Sequence, residues 1–249
     1  MSHFLSRIPV FIKVLFVADL FFAIMYFLMI GLLGRNAPMT WLFDVNRESA
    51  IPTWYSAIQL FLVGVVMAPL AWHEWNRSRI TSTLLWMFPA LFLAMSLDEV
   101  AMIHEWAGEN LDEIFIAGGD REYSKWFRGT GVWVLFIPLP FLAVLLFLSI
   151  KLRHYFADCP RAIRLFFSGV GIFLLGAVGS EYIYNLIPWF GIEALLQILS
   201  EEFAEMVGVT LMLWAAWEVF TSKGFAIHMP LRTPTSVACT VAPRQEGES

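Results

Sequence analysis

Leu84-Leu85-Trp86-Met87-Phe88-Pro89-Ala90-Leu91-Phe92-Leu93-Ala94-Met95-Ser96-Leu97-Asp98-Glu99-Val100-Ala101-Met102-Ile103-His104-Glu105 starts as membrane-like sequence and ends on three carboxylates and an imidazole within eight residues. Ionisable groups at such depth are costly. They face protein or a wet cavity and mark a functional site with partners elsewhere in the chain. Candidate partners stand in two other apolar runs, Gly179-Ser180-Glu181-Tyr182 and Ser200-Glu201-Glu202-Phe203-Ala204-Glu205-Met206.

The rest of the chain agrees with a membrane reading. Of its 249 residues 59% are hydrophobic and only 15% charged, against about 25% charged in soluble domains, and its mean hydropathy is +0.68. The net charge of -5 comes without a basic stripe or nucleic-acid motif, which excludes nucleic acid as a partner. Cys159 and Cys239 have neither metal-ligand spacing nor the pattern of a disulfide framework. Arg7 and Lys13 precede an apolar run that continues to Leu33, too long for a signal-peptide core, so a retained first span is expected.

At about 20 apolar residues per span, six spans are expected, near 9–33, 51–72, 83–105, 130–151, 163–187 and 192–220. The expected fold is all-α: one six-span bundle over 1–228 with a disordered cytoplasmic tail over 229–249 and no soluble domain. Eleven of the 16 Lys and Arg residues fall on one side: Arg7, Lys13, Arg77, Arg79, Lys151, Arg153, Arg161, Arg164, Lys223, Arg232 and Arg244. Positive charge is retained on the cytoplasmic side. Both termini are therefore expected inside a multi-pass protein of the cell inner (plasma) membrane.

At about 1.5 Å rise per residue, Asp98, Glu181 and Glu205 come out at about 21, 24 and 22 Å from the cytoplasmic ends of their spans. On an unbroken helix Asp98 and Glu105 share a face, with Glu99 and His104 to either side. Glu201, Glu202 and Glu205 share one sector of the sixth span, so the third and sixth spans are expected to pack with these faces opposed. Glu48, Trp54, Tyr182 and Glu201 are expected as lid or supporting residues over this layer, with the long segment Gly108 to Arg128 as an amphipathic helix or lid.

Several carboxylates cannot all stay ionised at reduced dielectric unless some are protonated or a cation neutralises them. Carboxylates with one histidine suit a hard or borderline divalent metal. The expected ligands are Asp98, Glu105, Glu181, Glu202 and Glu205, with His104 and Glu99 as catalytic proton carriers. A Glu-x-x-Glu step resembles di-iron bundles, but the two Glu-x-x-His steps of those sites are missing. Asp19 and Glu218 read as lone acids, snorkelling or hydrogen-bonded.

Asn46-Arg47-Glu48 with Ile51-Pro52-Thr53-Trp54, Asp98-Glu99 with His104-Glu105, and Glu201-Glu202 with Glu205 resemble motifs of a set of uncharacterised bacterial polytopic membrane proteins. The likeness spans most of residues 46–208 and implies no activity. A fainter one is to ceramidase-like membrane hydrolases, which arrange Ser, Asp and several His around zinc; this sequence departs from them in having one suitably placed His and no His-x-x-x-His pair. The functional expectation is an outward-facing carboxylate-histidine centre binding a divalent metal, in an enzyme acting on a lipid or other membrane-soluble substrate. A cation or proton transporter using the same acids, and an accessory subunit bound to other membrane subunits, are the alternatives.

Overall fold

The computed structural model describes residues 8–47, 49–116, 132–180, 182–183 and 191–225, and every regular element among them is helical. In chain order the longer ones are α1 (Val10–Leu33), α2 (Ile51–Glu74), α3 (Arg79–Ala101), α4 (Ile103–Phe115), α5 (Trp133–Lys151), α6 (Pro160–Ser180) and α7 (Ile192–Ser222). All but α4 are long and apolar enough to cross a membrane. The protein is a multi-pass membrane protein.

Local chemistry sets the helix starts. Pro52 and Pro160 stand in the first turns of α2 and α6, where a missing N–H costs nothing and the fixed φ suits a helix. Ser78 caps α3 by accepting the N–H of Thr81 at 3.3 Å. The last turns of α1, from Phe27, and of α6, from Leu175, widen into π-helix.

α7 is the central helix, with Met206, Val209, Met212, Leu213, Ala216 and Val219 all buried. It packs on α6, α2 and α1, while α3 pairs with α2 as a hairpin. Between α6 and α7 the backbones themselves meet. A Cβ on Gly169 would lie 2.6 Å from the Gly208 carbonyl oxygen, and one on Gly208 would lie 2.8 Å from that of Gly169. Such backbone contact replaces the hydrophobic drive that lipid cannot supply.

Two expectations change here. The third span ends at Ala101 rather than 105. The third and sixth spans do not pack against each other with opposed acid faces: α2 and α6 take the flanks of α7. An apolar cavity of about 180 Å³, lined by Phe88 and Phe92 of α3 and Met212 and Ala215 of α7, lies between those two helices. The physical reason is that α2 leads into α3 through a short turn and keeps it as its hairpin partner, while α2 itself takes the position next to α7. The tail 229–249 lies outside the described residues, as does most of the fifth span's expected extension past Ser180.

Gly208→Leu should force α6 off α7 and cost about 1–3 kcal/mol. At about 2–4 °C per kcal/mol for a chain of this size, the melting temperature in detergent should fall by several degrees. Gly171→Leu, at a position where an added Cβ would meet nothing within 4 Å, should leave it unchanged.

Candidate functional site

The site begins where α3 stops. Met102 adopts φ 55 and ψ 36, the left-handed region, and its N–H donates to the Asp98 carbonyl at 2.8 Å. For a residue with a Cβ that conformation costs about 1–2 kcal/mol. Asp98 offsets it. Its Oδ1 accepts the backbone N–H of His104 at 2.7 Å, at the start of α4, and its Oδ2 lies 3.0 Å from His104 Nδ1. One carboxylate thus holds both the second helix and the imidazole. Asp98 and Glu105 accordingly do not share a helix face, because the helix turns between them.

Past the break, α4 packs against α3 and the start of α5. Ile103, Trp106, Ile114 and Phe115 are exposed, while the buried Asp112 accepts the N–H of Val132 at 2.8 Å, fastening α4 to the start of α5. An amphipathic helix with an outward aromatic and aliphatic face suits a membrane interface. Of the segment expected as an amphipathic helix or lid, the part up to Phe115 is helical; residues 117–128 lie outside the described residues.

Beside α4 opens a cavity of about 850 Å³. His104, Glu105 and Glu109 of α4 form one wall with Trp133 of α5. Gln197 and Glu201 of α7 form another, and Tyr26, Ile30 and Arg35 close it from the end of α1, with Asn46 at the rim. The imidazole lies against the Trp133 ring, centroids 5.0 Å apart, and Glu201 accepts from Gln197 Nε2 at 2.8 Å.

The expected site residues are thus only partly gathered. His104, Glu105 and Glu201 line the cavity and Asp98 stands behind His104. Glu99 is half-buried and acts on His104 through its charge. Glu202 acts in the same way on Tyr26, beside Arg35 and Asp44. Glu205 turns toward α6, its Cγ 3.2 Å from where a Cβ on Gly176 would stand. Trp54 and Tyr182 are exposed and do not line the cavity. Glu48 and Glu181 lie outside the described residues. Among the described residues no three of His, Cys, Asp and Glu have metal-binding geometry, and Asp98 is already engaged by His104. The five-ligand metal set is therefore not supported.

A family model described as a domain of unknown function, DUF8692, matches residues 10–220. The chain belongs to the DUF8692 family. No curated protein and no solved structure matches the DUF8692 chain.

Sequence reasoning passes over a second polar cluster in this DUF8692 bundle. Asp19 of α1, Gln59 of α2 and Thr210 of α7 have no exposed surface at all, and Tyr55 joins them. Tyr55 Oη lies 2.6 Å from Asp19 Oδ1 and 3.0 Å from the Leu15 carbonyl. Thr210 Oγ1 lies 2.9 Å from Asp19 Oδ2, and Gln59 Nε2 reaches Asp19, Tyr55 and Thr210 at 3.0, 2.9 and 2.8 Å. Of the two expectations for Asp19, snorkelling or hydrogen-bonded, the second holds. The available signal is the run Tyr55-x-x-x-Gln59, one helical turn apart on a span that is otherwise apolar. Arg35, Glu109 and Gln197 are further cavity residues that the sequence reading does not single out.

Burial alone would lower the pKa of His104, but the Asp98 hydrogen bond and charge, with Glu105 and Glu99, outweigh it and raise the pKa above 6.5. A histidine raised in the folded state stabilises the fold fully below its unfolded value, about 6.5, and loses that contribution as pH rises through the folded value. The stability gap between wild type and Asp98→Asn should therefore be larger in mildly acidic than in mildly alkaline buffer. In an NMR titration the His104 resonance should move to a lower pKa in Asp98→Asn.

Proposed function

We propose that this protein is a membrane-embedded enzyme acting on an amphipathic, lipid-like substrate, with His104 as the proton-transferring group and Asp98 as the residue that positions it. The observation that carries this reading is the Asp98–His104 pair on the wall of a cavity of mixed character. Ile30, Leu195 and Ile198 offer an apolar side for a hydrocarbon tail, and Arg35, Glu105, Glu109 and Glu201 offer charge of both signs for a polar head. Asp98 engages Nδ1 and so leaves Nε2 as the nitrogen that exchanges a proton with substrate. The protonated imidazole donates to a departing oxygen and the neutral ring withdraws a proton from an attacking hydroxyl or water. The distribution of Lys and Arg supports a topology with both termini in the cytoplasm and the cavity on the outward side of an inner (plasma) membrane.

A divalent metal fits this reading only in part. A carboxylate behind Nδ1 is the usual support of a metal-bound histidine, and Glu105 is a second oxygen donor on the same wall. The described residues bring no third ligand, so the proton-transfer role rests on His104 alone. A carrier is the second reading, favoured by the wholly buried Asp19 in mid-span. An accessory role beside other membrane subunits is the outcome if neither activity is found.

The test is to incubate the purified protein with a total membrane lipid extract in mixed micelles and follow lipid species by mass spectrometry. Wild type should convert one lipid class. His104→Gln should lower the rate about 10²–10⁴-fold, and Asp98→Asn should slow it and displace its pH profile. Lipid profiles identical for wild type and His104→Gln would refute the enzyme reading, and solute uptake into proteoliposomes would then decide for the carrier.

A further inference from the structure

The cluster of Asp19, Tyr55, Gln59 and Thr210 is independent of the cavity, and its hydrogen bonds can be counted. Six short contacts join these four side chains and the Leu15 carbonyl. With Asp19 ionised, the hydrogens available are two from the Gln59 amide and one each from Tyr55 and Thr210; with one Gln59 hydrogen shared between Asp19 and Tyr55, these four serve five of the six contacts and leave one without a hydrogen. Tyr55 is the sharpest case. It stands within hydrogen-bond distance of both the Leu15 carbonyl and Asp19 Oδ1, yet has one hydrogen, and a carbonyl can only accept. If Tyr55 donates to Leu15, the 2.6 Å contact to Asp19 requires the hydrogen to sit on the carboxyl group.

We propose that Asp19 is a proton-binding site inside the membrane, closed by Tyr55 and Gln59 of α2 and Thr210 of α7. Asp19 Oδ1–H donates to Tyr55, Tyr55 donates to the Leu15 carbonyl, Thr210 donates to Oδ2, and Gln59 donates to Thr210 while its second hydrogen is shared between Asp19 Oδ1 and Tyr55. All six contacts are then served.

The ligand is a proton rather than a metal cation. Oxygens around a hard cation stand about 2.0–2.6 Å from it and on different sides of it, so they cannot approach each other as Tyr55 Oη and Asp19 Oδ1 do at 2.6 Å. No lysine, arginine or histidine is ion-paired with Asp19 among the described residues. On the elements packed around it, the one other titratable group in contact is Tyr55, itself neutral as a donor. A bare carboxylate at this depth would meet the full cost of burying charge. Gln59 Oε1 is also buried without a hydrogen-bond partner. Release of the proton therefore requires α1 to part from α2 and α7 or water to enter between them, which couples protonation to packing of the central helix.

The experiment is infrared spectroscopy of the purified full chain in lipid at neutral pH, with carbon-13 label in the aspartate carboxyl groups. The expected result is one carboxylic-acid C=O band, lost in Asp19→Asn and shifted in Thr210→Val, which keeps the acid but removes its hydroxyl partner. Thr210→Val alone identifies the band if Asp19→Asn does not fold. Spectra with carboxylate bands only, or an acid band that neither variant alters, would overturn the proposal. Neither result depends on turnover at His104, so this site and the proposed enzyme activity fail separately.

Discussion

In a membrane interior a polar group is tolerated where the protein itself supplies partners for it, and this constraint explains where several polar side chains of the bundle go. Asp98 takes the two nitrogens that the start of α4 leaves open. Asp112 takes the N–H of Val132, next to the start of α5. Ser82 and Ser96 donate to carbonyls of α2, at Ala71 and Ala57, and so hold the α2–α3 hairpin in register. Asp19 is enclosed by three hydrogen-bonding side chains from two other helices. Each of these contacts satisfies a group and joins two elements.

The break at Met102 is the local event from which the vestibule follows. Had α3 continued, Glu105 and Glu109 would have risen on its own axis toward the aqueous phase. After the turn, α4 exposes Ile103, Trp106, Ile114 and Phe115 and brings His104, Glu105 and Glu109 to a cavity shared with residues of α1 and α7. Strained backbone at a non-glycine residue persists when its surroundings over-determine it. Here the surroundings are a carboxylate making two hydrogen bonds and an indole packed on the imidazole.

The two polar sites differ in what they permit. The vestibule mixes charge of both signs with apolar wall and is open, so its residues retain water and can exchange it for a substrate. The Asp19 cluster is sealed between α1, α2 and α7, and exchanges nothing while those helices stay packed. α7 connects them, since Glu201 lines the first and Thr210, nine residues further, closes the second. The Gly169–Gly208 crossing lies between these positions and fixes α7 against α6 at backbone contact.

Spacing and composition alone determined the all-helical fold and its six spans, because burial of about 20 apolar residues per crossing is a one-dimensional property. Three decisions needed the tertiary structure. The chain leaves the helix at Met102 without glycine or proline to announce it, since the stabilising partner, His104, is brought to Asp98 only by the turn itself. Glu201, Glu202 and Glu205 fall in one helical sector, yet Glu201 faces the vestibule, Glu202 acts on Tyr26 and Glu205 packs toward Gly176, because the helices that flank α7 are not those expected. Asp19 looks solitary in its span because Tyr55, Gln59 and Thr210 stand 36, 40 and 191 residues away. Local periodicity tells which way a side chain points along its own helix, and only the packing of helices decides what it meets there.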